Sequence, residues 1–267
     1  MKQFQLEAHG LSDVGPIRRN NEDVWASLLE HRFFAVADGM GGHKAGEIAA
    51  KEATRLLCEY AQDLLFISSK ERLTKKKIMS HLEKSFSHAN NHVFKLGENH
   101  QDLKGMGTTL CCLYFYRSIA IFAHVGDSRI YRFRKNKLKL LTKDHSLENK
   151  LTKKKLLKRN QSLPPPYKNV ITRAIGTMAK VTTDTSFAHV KEGDLFLMCT
   201  DGLSDFVKKK YIENILLSSH PLSRKSKSLI QEAKKMGSCD NITALLICVK
   251  KSYESDDLLG QQCHYIC

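Results

Sequence analysis

The sequence predicts an α+β layered domain, with antiparallel sheets packed together and helices outside. Three observations carry this expectation. Short β-like runs recur and several meet back to back, which favours antiparallel pairing; two long stretches with helical spacing come consecutively between them; and no internal repeat is visible.

In chain order, the first run, Phe4 to Gly10, alternates polar and apolar residues, and Arg32 to Ala37 is the second. Ile48, Ala49, Ala53, Leu56, Leu57, Tyr60 and Leu64 then recur at a spacing of three to four, as do Ile78, Leu82, Phe86, Ala89, Val93 and Leu96, giving two helices. A second strand cluster follows at Thr109 to Tyr116, Ser118 to Val125 and Arg129 to Arg134. Residues 146–168 form a Lys-rich, helix-like stretch ending in Leu163-Pro164-Pro165-Pro166, where the prolines can neither continue a helix nor donate to a sheet; it reads as an insertion over the surface. Asp194 to Thr200 and Thr243 to Val249 are further strands, with late helices at about Lys208 to Ser218 and Arg224 to Met236 between them. Beyond Lys250 no period is evident, so residues 1–250 read as one domain and 251–267 as a frayed tail.

The chain has 267 residues, 42% hydrophobic and 27% charged, enough to bury a core without metal or disulfide staples and unlike a disordered or collagen-like composition. The longest apolar stretch, around Leu195 to Cys199, is far short of the roughly 20 residues that span a bilayer. The N-terminus lacks an apolar signal core, Lys2 stands where myristoylation needs glycine, and Cys263 is one place too early for a prenylation box. Eight cysteines form no C-x-x-C pair and sit mostly in apolar surroundings, as suits a reducing compartment. A cytoplasmic protein without membrane attachment is the expectation.

Forty-three Lys and Arg against 28 acidic residues give a formal net charge of +15, which attracts polyanions. The basic residues fall in separate runs, among them Lys75-Lys76-Lys77, Lys153-Lys154-Lys155 and Lys208-Lys209-Lys210. Most lack stacking aromatics, and no zinc-finger, RNP or helix-turn-helix pattern accompanies them. They read as solvated faces rather than a nucleic-acid interface.

Four acidic positions share one setting, the edge of an apolar strand beside a small or turn-forming residue: Asp38 before Gly39, Asp127 after Gly126, Asp201 before Gly202, and Asp240 before Asn241. One Asp-Gly alone is a turn. Four, on strands that pair in a sandwich, can converge at one rim, where a carboxylate cluster is unfavourable unless cations neutralise it. Oxygen-only ligands suit Mg²⁺ or Mn²⁺, whereas zinc recruits Cys or His. Two such ions can turn a shared water into a nucleophile for phosphorus. The segment Gly15 to Asp23, with Arg18, Glu22 and Asp23, adds a fork-shaped cation for phosphate oxygens and further acidic groups.

Three other phosphate chemistries fit less well. Cys111 to Arg117 matches C-x₅-R, but Cys-Leu-Tyr-Phe-Tyr is an apolar β run whose thiol packs in a core. Gly41 to Gly46 has P-loop glycine spacing with Glu47 where lysine is required, and a dinucleotide fingerprint fails at Lys44.

At these residues the chain resembles the metal-dependent serine/threonine protein phosphatases of type 2C in their compact bacterial form. The resemblance runs in family order through Ser12 to Gly15 with Arg18 to Asp23, Asp38 to His43, Gly107 to Leu110, Val125 to Arg129, Thr142 to Ser146, Ile171 to Gly176, Thr200 to Leu203 and Asp240 to Thr243. It implies an αββα four-layer sandwich, two antiparallel sheets flanked by helices, with a binuclear Mn²⁺ or Mg²⁺ site at one edge. Carried over by position, Asp38 bridges both ions, Gly39 offers its carbonyl to one, Asp201 and Asp240 hold the other, and Glu22 acts through water. Asp23 stands behind them, Arg18 binds phosphate, Asp127 with Asp201 forms a third-metal site, and residues 146–168 are the variable flap.

Two departures stand out. Position 40 is methionine where some members have a histidine proposed as the proton donor, so a metal-bound water takes that role, with His43 as the side-chain candidate. The flap is also unusually rich in lysine. The implied activity is hydrolysis of phosphoserine and phosphothreonine in proteins by direct attack of a metal-bridging water or hydroxide, without a covalent intermediate. The implied partners are targets of a serine/threonine kinase, and the implied state is a monomer. The competing reading is a catalytically weak module on the same fold that binds acidic or phosphorylated partners; such modules lose metal ligands, and here the core ones are present.

Overall fold

The structure, a computed structural model, describes residues 4–41, 45–156, 163–164, 167 and 170–251, together with the backbone of 264–266. One antiparallel sheet is ordered β1 (Gln5–Asp13), β11 (Ile242–Lys250), β10 (Leu195–Cys199), β7 (Arg129–Arg134), β8 (Lys137–Leu140). The other is ordered β12 (His264–Ile266), β2 (Asp23–Leu28), β3 (Phe33–Met40), β5 (Leu110–Tyr116), β6 (Ile119–Val125), β9 (Asp184–His189), with the two-residue β4 (Gly107–Thr108) pairing on β3. Every register in both sheets is antiparallel.

The period of two explains the layers. Phe34 and Val36 of β3, Cys111, Leu113 and Phe115 of β5, Phe196 and Met198 of β10, and Leu245, Ile247 and Val249 of β11 face between the sheets. Their alternates point outward on both sides. Phe33, Ala35, Ala37, Cys112 and Tyr114 pack beneath α1 (Ala45–Lys70) and α2 (Lys75–Asn99). Leu195, Leu197, Cys199, Ala244 and Leu246 pack beneath α5 (Lys209–Leu217) and α6 (Leu222–Lys235). Both faces of the central strands are therefore covered, which is why these strands read as continuous apolar runs. The result is the four-layer αββα sandwich, with three apolar interlayers.

The single tryptophan, Trp25 on β2, is buried between the sheets. A Cβ on Gly10 of β1 would stand 2.5 Å from its ring, so the facing strand accommodates the indole by carrying no side chain. The β7–β8 hairpin turns through Lys135 and Asn136, both at positive φ, the signature of a type I′ turn whose twist matches its strands.

Several expectations shift. Strands β2, β8 and β9 were not legible as runs: β2 opens on Asp23 and carries Ser27, β8 is the four-residue edge segment Lys-Leu-Lys-Leu, and β9 is an edge strand with four polar positions in six. The helical part of the Lys-rich insertion is short, α3 (Leu147–Lys153), capped by the Ser146 Oγ that accepts the Asn149 N–H at 3.3 Å. The rest of that insertion lies largely outside the described residues. In the tail expected to fray, His264–Ile266 pairs with β2 at Ser27, Ala26 and Trp25.

Candidate active site

Five strand ends and the loops leaving them meet at one edge of the sandwich. The β1–β2 loop brings Arg18 and Glu22, the end of β3 brings Asp38 and Gly39, the β6–β7 turn brings Asp127, the step from β10 into α4 (Asp201–Ser204) brings Asp201, and the turn into β11 brings Asp240. These seven sequence-predicted residues all line one cavity of about 550 Å³. Asp23 lies beneath it, 7% exposed, and His43 lies outside the described residues.

Asp23 is held from the neighbouring sheet. Thr200 Oγ1 and Thr243 Oγ1 donate to its Oδ2 at 2.8 and 2.7 Å, locking the start of β2 to the ends of β10 and β11. Asp38 is framed by its own backbone: its N–H donates to Thr109 Oγ1 at 3.0 Å, and its carbonyl accepts the Thr109 N–H at 2.8 Å and the Thr108 hydroxyl at 2.9 Å. The carboxylate of Asp38, within hydrogen-bonding reach of Asp201, faces the cavity.

Asn241 is the organiser that sequence reasoning passed over. Its Nδ2 donates to the carbonyls of Val14 and Asn20, both at 2.9 Å, and its Oδ1 accepts the Glu22 N–H at 2.9 Å, so one amide fixes both arms of the loop carrying Arg18. Read locally, Asp240-Asn241 is only a turn; its partners lie more than two hundred positions away. The packing behind it is equally tight, because a Cβ on Gly202 would lie 1.9 Å from the Asn241 carbonyl oxygen. Gly202→Ala is therefore expected to cost about 3 kcal/mol or more, read as a lower urea midpoint.

The electrostatics are those of an unneutralised acidic cluster. Burial, and then the charges of Asp23 and Asp201, hold the Asp38 carboxyl well above its ordinary range. Burial pushes Asp23 up to about 7 against the pull of its two threonine hydroxyls, and Asp127 up to about 8. Asp201 is pushed up to about 6, first by burial and then by Asp240. Asp201 Oδ1 and Asp23 Oδ1 are buried without a hydrogen-bond partner among the described residues. Among the described residues, the cation engaged with this cluster at the rim is Arg18, whose Nη2 donates to Asp240 Oδ2 at 2.8 Å. Hard oxygen donors, partnerless buried oxygens and an excess of negative charge fit Mn²⁺ or Mg²⁺.

A second cluster, His124, His145 and Asp184, also gathers possible ligand atoms. The His145 Nδ1 accepts the Gly126 N–H at 3.1 Å, which leaves its Nε2 protonated, 3.3 Å from Asp184 Oδ2 and 3.1 Å from the Arg173 guanidinium. A cation there would meet an N–H and a guanidinium. The cluster acts instead as a clamp on the turn before Asp127, and the His145 N–H, donating to the Gly126 carbonyl at 2.9 Å, completes it.

Cys111 and Cys112 are fully buried in β5, and burial raises both thiols, Cys112 to about 12. A thiolate nucleophile is excluded there, as the β character of that run implied.

An αββα sandwich with a carboxylate-walled cleft at one sheet edge defines a metal-dependent phosphoester hydrolase. The family model described as "Protein phosphatase 2C" matches residues 19–236. The chain is 36% identical over 245 residues to the serine/threonine phosphatase stp of Listeria welshimeri, an alignment covering 91% of this chain and 95% of that one. Among solved structures it is similar to the S. agalactiae serine/threonine phosphatase, with a TM-score of 0.81 at 33% identity, covering 92% of this chain and all of the other. It is likewise similar to the catalytic domain of the serine/threonine protein phosphatase PstP in complex with 2 manganese ions, with a TM-score of 0.79 at 30% identity over 93% of this chain and 100% of that one. The chain belongs to the protein phosphatase 2C family. It is an enzyme, a metal-dependent protein-serine/threonine phosphatase, rather than a binding module on that fold. No helix among the described residues is long and apolar enough to cross a membrane.

Proposed function

We propose that the cavity hydrolyses phosphoserine and phosphothreonine in proteins with two bound Mn²⁺ or Mg²⁺ ions. Asp38 would bridge the two, with the Gly39 carbonyl on one, Asp201 and Asp240 on the other, and Glu22 acting through water. Asp127 with Asp201 would hold a third ion. The observation that carries this reading is the convergence on one open cavity of Glu22, Asp38, Asp127, Asp240 and Asp201, the last with a buried, partnerless oxygen, together with an arginine fork. When bound, the ions neutralise the carboxylates, draw charge from the phosphoryl oxygens and activate water toward phosphorus.

The chain's own residues do the positioning. Arg18, half of whose side chain is solvent-exposed in its pairing with Asp240, offers a planar pair of donors to two phosphoryl oxygens. Asp23 sets the height of Asp201 through Thr200, which precedes the helix Asp201 opens and gives its hydroxyl to Asp23 rather than to a helix N–H. Met40 and Ile171 give the cavity its apolar lip. The described lining contains no histidine, so no described imidazole donates the proton to the leaving alcohol.

Residues 1–250 form the catalytic domain, with 251–267 as an appendage to it. Phosphorylated proteins are the substrates, targets of a serine/threonine kinase in cytoplasmic signalling, and the enzyme acts as a monomer. The +15 charge steers acidic substrates rather than nucleic acid.

The experiment is phosphate release from a phosphothreonine peptide with Mn²⁺, with Mg²⁺ and with a chelator. Release only with metal is the expected result; release that persists in the chelator would sink the assignment. In the same assay Arg18→Ala should raise KM by about 10- to 100-fold with a smaller loss in kcat, as removal of a phosphate-binding contact does. A change confined to kcat would assign Arg18 another role.

A further inference from the structure

A second depression of about 370 Å³ opens beside the catalytic cavity and shares Met40 and Ile171 with it. Its far wall is residues 172–183, which contain no helix or strand, only the isolated bridge from Ile175 to Thr108. So long an irregular stretch inside a compact domain is uncommon and usually functional.

The segment is nonetheless fixed in place. Asn90 on α2, 1% exposed, donates its Nδ2 to the carbonyls of Met178 and Ala179 at 2.9 and 3.3 Å, and its Oδ1 accepts the Gly176 N–H at 2.9 Å. Thr108 and Ile175 exchange backbone hydrogen bonds of 3.0 and 2.8 Å. Gly176 sits at φ +85, and a Cβ there would stand 2.3 Å from the Val93 side chain. A buried polar anchor and a glycine-only approach thus hold the backbone from beneath, yet Met178 projects outward at 68% exposure. Lys180 is also exposed and makes no ion pair among the described residues. Arg173, the other cation of this wall, is already engaged by Asp184 at 2.7 Å.

We propose that this groove receives the chain flanking the phosphorylated residue of a protein substrate, seating an apolar side chain against Met178 and Val181 and a carboxylate at Lys180. The inference rests on the phosphatase reading and adds a sequence preference to it. The shared lip supplies continuity: a peptide whose phosphate lies in the cavity crosses Met40 and Ile171 to enter the groove, each residue reaching about 3.3–3.6 Å when extended. The charge supplies the sign. Ser146 bridges Ile171 at this lip, and α3, which starts immediately after it, carries Lys150 and Lys153 and runs on into Lys154 and Lys155. The unbranched thioether of an exposed methionine adapts to apolar side chains of varied shape.

The test compares kcat/KM for phosphothreonine peptides that differ only in a single Glu, Leu or Lys, scanned along each flank, with turnover of a small aryl phosphate that has no flanks. At one or more positions Glu and Leu should exceed Lys by roughly five-fold, chiefly through KM. Lys180→Glu should reverse the order of Glu and Lys, and Met178→Ser should remove the advantage of Leu. Both variants should keep aryl phosphate turnover. Equal kcat/KM for all peptides, or an order indifferent to Lys180→Glu, overturns the groove assignment while leaving the phosphatase reading intact. Failure to hydrolyse both aryl phosphate and every peptide with Mn²⁺ overturns the two together.

Discussion

Asp201→Asn is expected to lower kcat for a phosphothreonine peptide by about 10³-fold or more in Mn²⁺. The change removes one charge and almost no volume. Asp201 opens α4, its Oδ1 is buried without a partner, and its carboxyl lies within hydrogen-bonding reach of Asp38. The lost quantity is therefore the negative charge that would fix a cation, while the backbone bond from the Asp205 N–H to the Asp201 carbonyl remains. Asp240→Asn should behave alike and should also release Arg18 from its ion pair. The check is a steady-state assay beside a melting curve in chelator. The variant should melt no lower than wild type, since one member of a repelling cluster has been neutralised. A folded Asp201→Asn protein retaining more than about a tenth of wild-type kcat would remove Asp201 from the site.

The second large effect is on stability. At about a hundred times its dissociation constant, a ligand that binds only the folded state contributes about 2.7 kcal/mol, which for a chain of this size is a rise of about 5–10 °C in melting temperature. Mn²⁺ is expected to deliver that rise, and the pH dependence should identify where it acts. Folding raises Asp201 to about 6, Asp23 to about 7 and Asp127 to about 8, all above the ordinary value of 3.8. A carboxyl whose pKa is raised takes up a proton on folding. Its penalty is absent below the ordinary value, grows as pH climbs from there to the raised one, and is constant above it. In chelator, therefore, melting temperature should fall between about pH 4 and 8. Saturating Mn²⁺, which holds the carboxylates ionised, should abolish that fall. A melting temperature that rises with pH over this range in chelator would contradict the electrostatic account.

The carboxylates that line the cavity were legible because each ends an apolar run and adjoins a small or turn-forming residue: Asp38 after Phe33 to Ala37, Asp201 after Leu195 to Thr200. The apolar runs themselves gave away the central strands, since a strand covered on both faces loses its alternation. What was not legible depends on partners distant in sequence. Asn241 matters for the carbonyls of Val14 and Asn20, Asn90 for those of Met178 and Ala179, and His145 for the amide of Gly126. Each reads locally as an ordinary polar residue. The strands β8 and β9 escaped because edge strands are half-solvated and carry polar side chains, so burial imprints no clear pattern on them. His43, the side-chain candidate for proton donor, lies outside the described residues.

The pairing of β1 with β11 has a consequence for synthesis. Ser12 lies opposite Thr243 and Asp13 opposite Ile242, so β1 finds its partner strand only after a further 231 positions have been made. Asp23, early in the chain, takes its two hydroxyl bonds from residues 200 and 243, and the loop bearing Arg18 is tied through residue 241. On a growing polypeptide, Arg18, Asp23 and Asp38 are present while Asp240, Asn241 and Thr243 are still unmade. That edge therefore cannot close before residue 243 has been made, and a chain stopped short of it lacks the ties that hold Arg18 and Asp23.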